Sequence, residues 1–163
     1  MVWKTEKGGF MADGFEIHEM KDGRVLVILH PTCAITKKAI LALLAEMGID
    51  EAAVIFLLPE EVAEHCSDID DMPVVIPIDQ ASCDAPELDA AGRQCGQAGG
   101  RVIVLFGDGF SYEGLHPVAE KYGTQCGWSA GQLEDCVKDP ESAAPRDSGG
   151  TVVTRPISNQ VKC

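Results

Sequence analysis

Val25-Leu26-Val27-Ile28-Leu29, closed by His30-Pro31, is the stretch on which the fold turns. The run is apolar throughout, with no polar face to turn towards water. A strand of that kind is covered on both sides, as strands in parallel sheets are. Val102-Ile103-Val104-Leu105-Phe106 repeats the pattern, and Ala53 to Leu58 and Val74-Val75-Ile76-Pro77-Ile78 supply two more such runs. Pro77 has no N–H for a ladder, so the sequence places its strand toward a sheet edge or predicts it to be weak. Thr124 to Trp128 is read as a fifth strand.

Between these runs the hydrophobic period changes from strand to helix. Thr36 opens a helix with Ile40, Leu43, Leu44 and Met47 on one face, ended by Gly48 with Ile49 folding back over the last turn. Pro59-Glu60-Glu61 starts a short helix, with proline in the first turn and carboxylates at the positive end of the dipole. Pro86 opens another, with Leu88, Ala91, Cys95 and Ala98 inward and Gly92 and Gly96 allowing close approach to the sheet. Pro117 begins a short helix that stops at Gly123. Ser129 with Gln132 reads as a capping box for a last helix carrying Leu133, Cys136 and Val137 inward.

Strands alternating with helices predict an α/β fold: a doubly wound, five-stranded parallel sheet in the order 2-1-3-4-5, with helices on both faces. Residues 1–14 read as a leader, with an extended piece at Phe15 to Met20. Residues 15–138 read as one domain and 139–163 as a polar tail able to dock through Thr151-Val152-Val153.

The chain has 163 residues, room for one domain with a genuine core. Its 26 acidic and 13 basic side chains leave a formal net charge of −13. Nucleic acid and anionic membrane are therefore unfavourable partners, whereas a small ligand held by local donors is compatible. The seven cysteines are odd in number, and none form a C-x-x-C pair. With no apolar h-region at the start, they predict reduced, mostly buried thiols in a cytoplasmic setting rather than a disulfide framework. No His/Cys set has the spacing of a metal site, and none is expected.

In a doubly wound sheet, ligands bind at the carboxyl ends of the strands near the switch in strand order. The loops after Leu29, Ile78 and Phe106 there supply His30, Thr32, Asp79, Ser82 and Asp108 as ligand-binding candidates. His30 reads first as a hydrogen-bonded structural histidine and second as a ligand contact, His116 as a helix cap or surface residue, and Trp128 as a packing residue before a stacking platform. Cys33, ahead of a helix start and paired in pattern with Met72-Pro73, resembles the thioredoxin-like layout of a cysteine facing a cis-proline, which makes it the alternative redox residue. The second cysteine of that motif is missing, and a βαβ-length stretch follows the proline strand where a hairpin would be required. Other doubly wound families fail at single positions. A cysteine phosphatase needs arginine where Ala39 stands, and a receiver domain needs an acidic pair where His30-Pro31 stands. No glycine-rich phosphate loop follows any strand.

Asp84-Ala85-Pro86-Glu87-Leu88-Asp89-Ala90-Ala91, Gly99-Gly100-Arg101-Val102-Ile103-Val104 and Tyr122-Gly123-Thr124-Gln125-Cys126-Gly127-Trp128 carry a further resemblance. Together, over residues 74–137, they resemble the TIR-like and nucleoside-deoxyribosyltransferase-like group, which shares flavodoxin-like topology. That resemblance implies a nucleotide such as NAD as ligand or substrate. It casts Glu87 as the carboxylate that stabilises an oxocarbenium-like ribosyl centre, with Ser82 and Asp79 on ribose hydroxyls. The first loop lacks the aromatic and basic residues typical of TIR proteins. A non-catalytic module for protein interaction, self-association or ligand sensing therefore stands beside the enzyme reading. No bound cofactor is expected beyond such a nucleotide.

Overall fold

The computed structural model describes residues 24–138 and 144–153. The readings for residues 1–14, for the extended piece at 15–20, for 139–143 and 154–163 of the tail and for Cys163 lie outside the described residues. The elements run β1 (Val25–Ile28), α1 (Lys37–Glu46), β2 (Val54–Leu57), a 3-10 helix (Pro59–Asp68), β3 (Pro73–Ile78), α2 (Pro86–Gln97), β4 (Arg101–Phe106), α3 (Pro117–Tyr122), β5 (Gly123–Cys126) and α4 (Ala130–Lys138). All five strands are parallel, in the order β2-β1-β3-β4-β5. The chain is a doubly wound α/β protein of flavodoxin-like topology.

Alternation along the strands divides the core between the two faces. Leu26, Ile28, Val74, Ile76, Val104 and Phe106 pack under the 3-10 helix, α2 and α3, against Val62, Leu88, Ala91 and Val118. Val25, Val27, Val75, Ile103 and Leu105 pack under α1 and α4, against Ile40, Leu44, Leu133 and Val137. Apart from Arg101 at the start of β4, each inner strand is thus apolar along its length because both of its faces are covered. No helix among the described residues is long and apolar enough to cross a membrane.

Local chemistry sets the helix ends. Thr36 Oγ accepts the Ala39 N–H at 3.1 Å and caps α1. At the other end Ile49 N–H reaches Leu44 O at 3.1 Å and Gly48 N–H reaches Ala45 O at 3.0 Å, a Schellman closure. It requires Gly48 at φ +84°.

Several expectations need correcting. β3 is central rather than near an edge. Pro77 is tolerated there because β1 pairs with β3 only at Val74 and Val75. The Pro77 carbonyl faces the loop after β1, where it accepts the Cys33 thiol at 3.9 Å. A strand residue's N–H and C=O point the same way, so the missing N–H also faces the side where β1 has already departed. Gly92 admits α3 rather than the sheet, since an added Cβ would sit 3.0 Å from both Tyr122 Cδ2 and Val118 Cγ1. The Ser129 cap forms, but Gln132 reaches Gly127 N–H at 2.9 Å instead of closing a capping box. The fifth strand begins and ends earlier than read, at Gly123 and Cys126.

Residues 144–153 return to the sheet through Arg146 and Ser148 rather than through Val152, which is 51% exposed. Arg146 N–H bonds Gln125 O at 3.0 Å, and Gln125 Nε2 returns a bond to Arg146 O at 3.1 Å. Ser148 Oγ accepts Tyr112 N–H at 2.7 Å.

Candidate functional site

The loops after β1, β3 and β4 meet at the carboxyl edge of the sheet. The residues singled out there fall into two groups, where the sequence reading expected one.

The first group is a clamp on the α2 side. His30 Nδ1 accepts the Thr32 N–H at 3.1 Å and lies 2.8 Å from Thr32 Oγ1. Because Nδ1 serves as an acceptor, the ring proton sits on Nε2, which donates to Glu87 Oε1 at 3.1 Å. Thr32 Oγ1 donates onward to Ala81 O at 3.3 Å. The β1 loop is thereby tied to the β3 loop and to the first turn of α2. Glu87 remains 59% exposed, whereas the His30 side chain is 11% exposed. The glutamate's own backbone N–H and the His30 hydrogen bond hold its carboxyl below the usual carboxylate range.

The second group is the turn after β3. Burial on its own would raise the Asp79 pKa, but hydrogen bonds from Ala34 N–H, the Ser82 hydroxyl, Ser82 N–H and Ala81 N–H outweigh it and hold the carboxyl low. The Ala34 bond is the shortest at 2.7 Å. Ser82 is fully buried, and its hydroxyl donates to Asp79 Oδ1 at 3.0 Å while accepting Asp79 N–H at 3.2 Å. Its donor and one of its two lone pairs are therefore used within the turn, and the residue does not line the crevice between these loops. Thr32 is likewise committed to His30 and Ala81.

Between these loops, on the α1–α4 side, lies a crevice of about 380 Å³ lined by Ala34, Ile35, Thr36, Ala39, Asp79, Gly107, Asp108 and Trp128. It occupies the switch in strand order. Asp108 is exposed, and among the described residues nothing pairs with its carboxylate. Trp128 packs against the core on one side and lines the crevice on the other. The sequence reading placed packing ahead of a stacking role for Trp128, because only the fold carries the β5 end round to the loop of β1. Glu87, His30 and Thr32 do not line this crevice.

A second cavity of about 500 Å³ opens between β1 and β2, lined by residues including His30, Cys33, Lys37, Phe56 and Glu61. Its polar groups are already engaged. The Lys37 ammonium lies 5.3 Å from the Phe56 ring centroid, and Glu61 accepts Leu58 N–H at 2.7 Å.

The thioredoxin-like layout is not formed. Pro73 begins β3, at the opposite end of the sheet from Cys33, and every described peptide bond is trans. Burial raises the Cys33 thiol pKa, and Lys37, the first residue of α1, lies beyond the N-cap. The six described cysteines are all free thiols. His116 is a buried cap: its Nδ1 accepts Val118 N–H at 3.1 Å and its Nε2 donates to Cys83 O at 2.9 Å. Among the described residues no group of three or more His, Cys, Asp or Glu is placed to hold a metal ion.

Fold and site together define a doubly wound α/β protein with an open crevice at its switch point. Compared with protein-family models, curated proteins and solved structures, the chain matches none of them.

Proposed function

We propose that this chain is a nucleotide-binding domain whose ligand sits in the crevice formed by Ala34–Thr36, Asp79, Asp108 and Trp128. The observation that carries the reading is the crevice at the switch in strand order, with the unpaired Asp108 carboxylate and the Trp128 indole both on its wall. A carboxylate suits ribose hydroxyls and an indole suits a base, while Ile35 adds an apolar side chain to the lining.

A second reading, cleavage of the N-glycosidic bond of NAD or a related nucleotide, is favoured by one observation. Glu87 is exposed and held ionised, and His30 orients it. Such a carboxylate suits a ribosyl centre that gains positive charge as the base leaves. Because Glu87 lies outside the crevice, cleavage needs a ligand long enough to cross the 79–82 turn, as a dinucleotide is.

Calorimetry with NAD and adenosine, beside an assay of nicotinamide release by the wild type and Glu87→Gln, tests both readings. Binding with release that disappears in Glu87→Gln supports the enzyme. Binding without release leaves a binding module. Neither binding nor release overturns the nucleotide reading and favours an assembly module, whose size should then change with protein concentration.

A further inference from the structure

We infer that the crevice takes the positively charged end of its ligand, a flat amidinium, guanidinium or ring cation, and leaves any anionic part outside. The inference rests on the crevice being the binding site. Its lining holds two carboxylates, Asp79 and Asp108, and one indole, Trp128, with no lysine, arginine or histidine. Asp108 has no partner among the described residues, so its carboxylate is open to a ligand. Asp79 Oδ2 accepts only the Ala34 N–H, which leaves a lone pair open. The Trp128 face adds attraction for a cation stacked on it.

One feature opposes this. The start of α1 also lines the crevice, and a helix N-terminus carries roughly half a positive charge. Thr36 already caps it at Ala39 N–H, however, and two carboxylates outweigh half a charge. Lys37, in the first turn of α1, lies over the Phe56 ring, and neither it nor Lys38 lines the crevice. Over the whole chain, the net charge of −13 repels anions and draws cations.

Benzamidine, benzamide and benzoate share one shape and carry positive, neutral and negative charge. Each is titrated into the full chain by calorimetry, with tryptophan fluorescence followed in parallel. Benzamidine should bind about tenfold tighter than benzamide, and benzoate weakest of the three. Asp108→Asn should weaken benzamidine roughly fivefold, the size of one exposed charge pair, and leave benzamide unchanged. Asp108 is exposed and unpaired, so circular dichroism should show the variant folded as the wild type is. Equal binding of the three, a preference for benzoate, no binding of benzamidine, or no effect of Asp108→Asn would each overturn the inference. If NAD or adenosine changes the fluorescence of Trp128 while benzamidine does not, the nucleotide reading survives and the charge selection fails. If benzamidine binds and no nucleotide does, the charge selection survives and the nucleotide reading fails.

Discussion

Asp79→Ala removes one side chain and strips three donors of their acceptor, while a fourth, Ser82 N–H, keeps the backbone carbonyl of residue 79 at 3.2 Å. Two of these, Ala34 N–H at 2.7 Å and Ala81 N–H at 3.1 Å, belong to exposed residues and regain water. Losing those two bonds costs about 0.5–1 kcal/mol each. The Ser82 N–H at 3.1 Å and its hydroxyl at 3.0 Å belong to a fully buried residue. The N–H retains the carbonyl of residue 79, so only the hydroxyl is stranded, at the low end of roughly 1–3 kcal/mol because it can rotate. The variant should therefore be less stable by about 2 kcal/mol near neutral pH. With a urea slope of roughly 2 kcal/mol/M, the unfolding midpoint should fall by about 1 M.

The pH dependence supplies a second check. The folded-state pKa of Asp79 is depressed below its ordinary 3.8. Its stabilisation is therefore complete above the unfolded-state value and is lost as pH falls through the lower folded-state value. The gap between wild type and variant should be constant from neutral pH to about 5 and then close below about 4. A midpoint shift under about 0.3 M, or a gap that persists in strong acid, would refute the assignment of Asp79 as the residue that joins the β1 and β3 loops.

Gly92→Ala and Gly96→Ala should have opposite effects although both replace a glycine in α2. At Gly92 the new methyl meets Tyr122 and Val118 at 3.0 Å, so overpacking of roughly 1–3 kcal/mol exceeds the helix gain of about 1 kcal/mol. At Gly96 the nearest atoms stand 3.9 Å away, and thermal melting should show a gain of about 0.5–1 kcal/mol. In His116, burial lowers the pKa from 6.5, because the fold accommodates the neutral ring. Its contribution is present above the unfolded-state value and lost as pH falls through the folded-state value. The melting temperature of the wild type should thus drop between about pH 7 and pH 5, and the margin over His116→Gln should shrink across that range.

Legibility in the sequence followed the range of the interactions. Val25 to Leu29 and Val102 to Phe106 declared doubly covered strands, because burial on both faces must be written into every residue of the run. The Thr36 cap and the Gly48 closure were equally plain, since each involves partners within a turn or so of chain. The right-handedness of crossovers then led to the strand order. What the sequence could not settle was which side chains consume one another. Ser82 and Asp79 look like free ligands when read along the chain, and only the folded turn shows the serine buried and bonded to the aspartate. His30 and Glu87 are 57 residues apart, and they meet because β1 and β3 are neighbours in the sheet. Pro77 looks like an edge residue until the early departure of β1 leaves no donor required there. Trp128 reaches the crevice by the same long-range route. Period, capping and turn chemistry are local and therefore legible in order along the chain. Hydrogen-bond pairing between loops, and the crevice left between them, exist only once the strands have been laid side by side.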